Sequence, residues 1–144
     1  MTPDGDETMT TETMRIDERL RAAGFVVELA AEPDDMPIRG NALASGDDDI
    51  DRRAENDIIE QLDAGNAWAW ASVRVCVTHP AVVGIEGNEY LGCCSYASED
   101  DFKADGGYYD DMVHEALRAW HVAAGRFNVD DLGKAMTAAQ AILG

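Results

Sequence analysis

Apolar side chains recur at helical spacing in four segments of this chain. The strongest pattern runs from Tyr108 to Ala124 and places five residues on one face: Met112, Ala116, Leu117, Trp120 and Ala124. Steps of three and four residues put side chains on one side of a helix, which indicates a face turned to the core. Weaker patterns predict helices over Met14–Ala23 and from Val129 to Leu143, with Asn128 as the cap of the latter.

A second clear helix is predicted between Asp47 and Gly65. Ser45 or Asp47 can cap its first turn, and Gly65 ends it. Four apolar residues repeat every four positions and are expected to form a buried stripe: Ile50, Ala54, Ile58 and Leu62.

Alternating side chains predict three strands. Phe25–Ala30 is short, and Ala67–Thr78 alternates with small or β-branched residues on one face and Trp68 and Trp70 among polar residues on the other. Gly84 and Gly87 indicate a turn over Pro80–Asn88, so Glu89–Ala97 returns as the second strand of an antiparallel hairpin.

These elements predict an α+β fold, with a small antiparallel sheet of about three strands packed against four helices in the order α-β-α-β-β-α-α. A further helical turn is expected at Ser98, a capping residue followed by acids. Residues 14–144 are predicted to form a single domain. Residues 1–13 are polar and acidic without period, and are predicted to be a disordered tail.

The net charge of the chain is its most unusual property. The chain has 29 Asp and Glu against 11 Lys and Arg, for a formal charge of −18. Such a chain repels the phosphate backbone, so direct nucleic-acid binding is excluded as its main function. The acids gather at predicted helix starts, where negative charge is favoured. The charge indicates a basic partner, imitation of nucleic acid, or adaptation to salt. The acids predicted to bind a partner are Asp47, Asp48, Asp49, Asp51, Glu99, Asp100, Asp101, Asp110 and Asp111.

Three aromatic residues, Trp68, Trp70 and Tyr90, are predicted to add apolar anchors to that surface, since aromatics often dominate protein interfaces. The alternative is that they form a second small core. His114, which Asp110 can pair with one turn before it, and His121 lack a recognisable nucleophile and oxyanion site, so no catalytic residue and no enzyme activity is predicted.

The predictions include no metal and no cofactor. Cys76, Cys93, Cys94 and His79 lack the spacing typical of zinc ligands. The glycine turns lack phosphate-binding patterns. Neither a secretory signal nor a membrane-length apolar run occurs in the sequence, and three unpatterned cysteines favour a reducing cytoplasm.

Three segments, RGNALASGDDDIDRRAENDII, GNAWAWASVRV and YLGCCSYASEDDFKADGGYYDDM, resemble small uncharacterised proteins of phages and prophages in high-GC bacteria. The likeness spans about Pro37 to Trp120. It carries over no functional residue, because no activity is established for those proteins. Small acidic phage proteins resemble inhibitors of host defence, including restriction and CRISPR antagonists, in the cytoplasm of the infected host.

The leading hypothesis is therefore a non-enzymatic phage protein that covers the basic nucleic-acid-binding surface of a host defence protein. A homodimer is compatible with it. The alternative hypothesis is a domain that sequesters a nucleotide signal in a pocket beside Trp68, Trp70 and Tyr90, with Arg39, Arg74 and Arg118 as the basic groups available.

Overall fold

A computed structural model describes residues 14–126 and 133–144, which form five α-helices and three β-strands. In chain order these are α1 Ile16–Ala22, β1 Val26–Pro33, α2 Asp48–Asp63, β2 Ala71–His79, β3 Val82–Cys94, α3 Glu99–Ala104, α4 Tyr108–Ala124 and α5 Gly133–Leu143. The α+β class and the antiparallel sheet are confirmed. The predicted tail, residues 1–13, and the predicted start of the last helix, residues 128–132, lie outside the described residues.

The three strands are ordered β1-β2-β3. Only Pro80 and Ala81 separate β2 from β3, and the Ala81 N–H donates to Nδ1 of His79 at 3.1 Å. The longer turn predicted up to Asn88 is therefore wrong. Gly87 lies inside β3. A side chain at this position would overlap the carbonyl oxygen of Ala116 on α4, so the position requires glycine. The glycine thus marks a close approach of two backbones and not a turn.

The predicted strand from Ala67 begins with a turn of 3₁₀ helix, Ala67–Ala69. The side chain of Asn66 caps this turn by accepting the Trp68 N–H at 3.1 Å. Regular alternation starts only at Ala71, and from there the expected small and β-branched face is fully buried: Ala71, Val73, Val75 and Val77. Trp68 therefore does not share a strand face with Trp70, as the sequence pattern suggested.

Helix α2 begins and ends close to the predicted positions, but its buried stripe is shorter. Ile58 is buried and packs with Ala69 and Trp70, while Leu62 is partly buried against the same cluster. Ile50 is 47% exposed, so the prediction that it is buried is wrong. It lies in the first helical turn, ahead of the part of α2 that packs on this cluster.

The chain divides into two compact units. Unit 1 consists of Met1–Glu28, Cys76–Glu89 and Asp110–Gly144, and unit 2 of Leu29–Val75 and Tyr90–Tyr109. In unit 1 the ring of Phe25 meets Trp120 edge-on at 5.0 Å and His79 at 4.7 Å, and α1 packs against α5. The face predicted for α4 is buried as expected, from Met112 to Ala124.

In unit 2 the ring of Phe102 is fully buried. It meets Tyr96 edge-on at 5.1 Å and Trp68 at 5.6 Å. The hydroxyl of Tyr96 donates to Asp105 at 2.7 Å, and burial together with this bond raises the pKa of Tyr96. This aromatic group anchors α3, whose acidic start belongs to the candidate site.

Candidate functional site

The acidic start of α2 contains two kinds of aspartate. Asp47 is the N-cap, and its carboxylate accepts the N–H groups of Asp49 at 3.0 Å and Ile50 at 3.3 Å. Asp51 accepts both the N–H and the hydroxyl of Ser45, at 3.0 and 2.7 Å. These two carboxylates hold the loop and the first turn together, so they have a structural reason to be acidic.

Asp48 and Asp49, unlike Asp47 and Asp51, hold no neighbouring group among the described residues. Both side chains are exposed, and within the described part of the chain neither makes a hydrogen bond or an ion pair. Their charge is favoured by the positive end of α2, which is typically worth 0.3–1 kcal/mol per group. They are therefore ionisable groups presented to solvent, held in place by the helix alone.

The start of α3 repeats this division. Ser98 caps the helix by accepting the Asp101 N–H at 3.2 Å, and Asp101 accepts the Ala97 N–H at 3.3 Å. Glu99 pairs with Lys103 at 3.4 Å. Asp100 is exposed and has no side-chain partner in residues 14–126 or 133–144. Unit 2 thus presents three unpaired carboxylates at two helix starts.

The remaining predicted acids, Asp110 and Asp111, lie in the first turn of α4 in unit 1. Asp110 pairs with Arg15 at 3.1 Å. It does not pair with His114, as the sequence suggested, because the Glu115 carboxylate lies 3.2 Å from Nδ1 of that ring. The His114 hydrogen bond, with Arg118 nearby, lowers the pKa of Glu115. Asp111 is exposed.

Of the three predicted aromatic anchors, only Tyr90 is exposed, at 55%. Trp70 is 6% exposed, and its indole N–H donates to the carbonyl of Met36 at 2.8 Å. Trp68 is half-buried against Phe102. The two tryptophans thus follow the core alternative: their rings are used inside unit 2, where an N–H with a partner can be buried at little cost.

The three cysteines differ in burial. Cys76 and Cys94 are buried, and burial raises the pKa of the Cys94 thiol. Cys93 is exposed and has a left-handed φ of 55°, so the strand is irregular at the adjacent pair. No group of three or more His, Cys, Asp or Glu residues that could hold a metal occurs among residues 14–126 and 133–144.

Two firmly held carboxylates were not singled out from the sequence. Glu55 is buried on α2 and accepts the Gly40 N–H at 2.8 Å and the Arg39 guanidinium at 3.0 Å, which lowers its pKa. Asp34 accepts the Cys93 N–H at 2.6 Å and the Met36 N–H at 2.8 Å, and these bonds lower its pKa. An aspartate side chain often accepts the backbone N–H two residues ahead in a turn, so the bond to Met36 could have been expected from the local sequence. The bond to Cys93 could not.

A cavity of about 390 Å³ lies in unit 2 beside Trp70. Seven of its nine lining residues are apolar and the other two are Asp34 and Asp35. None of the nine is basic. The arginines considered for an anionic ligand are engaged with carboxylates: Arg39 with Glu55, Arg74 with Glu32, and Arg118 with Glu115.

No family model, curated protein or solved structure matches this chain. Within residues 14–126 and 133–144, no helix has both the length and the apolar character needed to cross a membrane.

Proposed function

We propose that this chain is a non-enzymatic phage-type accessory protein that binds and blocks the basic nucleic-acid-binding surface of a host defence protein, such as a CRISPR effector or a restriction nuclease. The observation that carries the proposal is the excess of exposed, unpaired carboxylates on unit 2. Asp48, Asp49 and Asp100 lie at two helix starts, and their carboxylates have no partner within the described part of the chain. The resemblance of the sequence to phage proteins supports the choice of partner.

The charge of unit 2 supports the same conclusion. It contains 15 Asp and Glu against five Lys and Arg, a net charge of −10. Duplex DNA presents one negative charge about every 1.7 Å along its axis, and a protein that binds DNA has basic groups placed to meet that density. A surface rich in exposed carboxylates is attracted to such groups and competes with the nucleic acid for them.

Tyr90 is the aromatic residue that we assign to this surface, because it is the exposed one of the three. Trp68 and Trp70 are assigned to the core. The alternative, a pocket for a nucleotide signal, stays a prediction. The cavity beside Trp70 does not favour it, because a phosphate there would meet two carboxylates and no basic side chain.

The test begins by identifying the partner through cross-linking of the tagged chain in host lysate, and then measures affinity with the purified partner. The chain should displace nucleic acid from that partner. Affinity should fall steeply between about 50 mM and about 500 mM salt, because exposed charges are screened. Equal affinity at the two salt concentrations, or no displacement of nucleic acid, would contradict the proposal.

A matched pair of triple variants tests the surface itself. Asp48→Asn, Asp49→Asn and Asp100→Asn remove three unpaired charges from the two helix starts. Exposed ion pairs contribute about 0.2–1 kcal/mol each, so binding should weaken roughly tenfold.

The control triple removes three exposed charges that are elsewhere and have no side-chain partner in the described part of the chain: Glu28→Gln, Glu60→Gln and Asp63→Asn. It has the same net charge as the first triple variant. If the two triple variants lose equal affinity for the partner, the helix starts are not part of the binding surface.

A further inference from the structure

The cavity beside Trp70 combines an apolar wall with an acidic edge. Leu62 from α2 and the Trp70 ring form part of the wall, and the segment that follows β1 supplies Asp34 and Asp35. The volume of about 390 Å³ lies within the range typical of sites for small ligands.

The structure around this cavity is held by its own hydrogen bonds. The indole N–H of Trp70 is bonded to the Met36 carbonyl, and the Met36 N–H is bonded to the Asp34 carboxylate. The second oxygen of Asp34 accepts from Cys93 in β3. A wall that is fixed before a ligand arrives loses little conformational freedom on binding.

The charge of the lining selects the ligand. Two backbone N–H groups hold Asp34 in its ionised form, which agrees with its lowered pKa. Asp35 is exposed, and its side chain has no partner among residues 14–126 and 133–144. Because none of the lining residues is basic, an anion entering the cavity would be repelled, while a cation would find two carboxylates and lose little solvation at the open edge.

We propose that this cavity binds an aliphatic cation, with an alkyl chain against Leu62 and Trp70 and an ammonium or guanidinium group against Asp34 and Asp35. The ligand can be a free alkylamine or the side chain of a lysine or arginine on a bound protein. The proposal goes beyond the function proposed above, because a free amine would fill the site with no partner present.

The experiment follows the indole N–H signal of Trp70 by NMR, assigned with Trp70→Phe, while n-pentylamine is added to the intact chain. This N–H bonds to Met36 at the cavity wall, so occupation should shift its signal in a saturable way. Neutral n-pentanol and anionic pentanoate have the same chain length. Each should produce a smaller shift than the amine, and an equal shift with either, or none with the amine, would overturn the proposal.

A charge variant and its control test the acidic edge of the site. Asp35→Asn should weaken binding of the amine by about twofold to fivefold, the range of an exposed ion pair. Glu28→Gln also removes one negative charge, from an exposed side chain that does not line the cavity, and should leave the affinity for the amine unchanged. If both variants weaken binding equally, the effect is one of total charge and the site is wrong.

Ala67→Leu places a larger side chain in the cavity and so fills part of it without changing charge. It should abolish the shift, while the thermal unfolding midpoint stays near that of the original chain. If Ala67→Leu binds the amine as well as the original chain does, the cavity is not the site.

A second titration, with lysine blocked at both its amino and carboxyl ends, distinguishes the two sources of the cation. Binding at least as tight as that of pentylamine supports a protein side chain, and binding of pentylamine alone supports a free amine. Failure of both probes overturns this inference but not the proposed function, because Asp48, Asp49 and Asp100 do not line the cavity.

Discussion

Gly87→Ala tests how closely β3 and α4 pack in unit 1. Gly87 is buried, and an added Cβ would overlap the Ala116 carbonyl oxygen and lie 2.5 Å from the Trp120 nitrogen. Its φ lies outside the left-handed range, so the substitution introduces no backbone strain of its own. The predicted effect is therefore purely steric.

The size of the effect follows from what must move. Two of the clashing atoms belong to the backbone of α4, which cannot rotate away as a flexible side chain can. Overpacking of a core costs about 1–3 kcal/mol, and we expect the upper end here. The alanine also restricts the unfolded chain, which offsets about 0.4–1 kcal/mol. The net loss should be roughly 2 kcal/mol, or a fall of about 6 °C in the unfolding midpoint.

Urea unfolding followed by tryptophan fluorescence measures this loss, since Trp120 is fully buried next to the site. Gly133→Ala is the matched control. It lies on the exposed start of α5 with no atom within 4 Å of the added Cβ, so it should be neutral or stabilise by up to about 1 kcal/mol. If Gly87→Ala is as stable as the original chain, β3 and α4 do not approach as closely as described.

Three further predictions concern the carboxylates and Trp70. Asp47→Ala should lower the free energy of unfolding by about 1 kcal/mol and Asp47→Asn by much less, because asparagine also caps helices; equal losses by urea unfolding would argue against the cap. The pKa of Glu55 is lowered from 4.5, so its contribution to stability is complete above that pH and is lost as the pH falls through the lower folded value. Glu55→Gln should therefore lower the thermal unfolding midpoint at neutral pH and make that midpoint fall less steeply in acid. If the midpoint falls with pH equally in Glu55→Gln and in the original chain, Glu55 does not have this role. Trp70→Phe removes the donor to Met36 and should cost about 1 kcal/mol in the same urea experiment, and no loss would mean that the bond is not formed in solution.

Helix α4 shows what the sequence can predict. Its observed bounds, Tyr108–Ala124, coincide with the predicted ones, and the expected inward face is buried. Both results depend on local information: the spacing of apolar residues and the glycines that flank the segment. The caps Asp47 and Ser98 were predictable for the same reason, since each acts within three residues of itself.

The errors have a common physical cause, which is contact between residues far apart in sequence. Gly87 looks like a turn residue until Ala116 is placed over it, 29 positions later in the chain. Trp70 continues an alternating pattern, but its bond to Met36 and its contact with Ile58 make it a core residue. The Asp34 carboxylate reaches Cys93 across 59 positions. No local pattern contains such information. The pocket predicted beside Trp68, Trp70 and Tyr90 therefore agrees with the observed cavity only at Trp70, and its acidic edge at Asp34 and Asp35 was not predicted.

Net charge alone cannot identify the binding surface, because both units are strongly acidic. Unit 2 has a net charge of −10, and unit 1, with 14 Asp and Glu against six Lys and Arg, has −8. What distinguishes individual acids is whether the fold uses them. Asp47 and Asp51 hold backbone groups, so replacing them changes stability together with charge. Adaptation to salt requires only the total charge, which is the same in the two triple variants described above. Only a specific surface predicts that one of them binds its partner more weakly than the other.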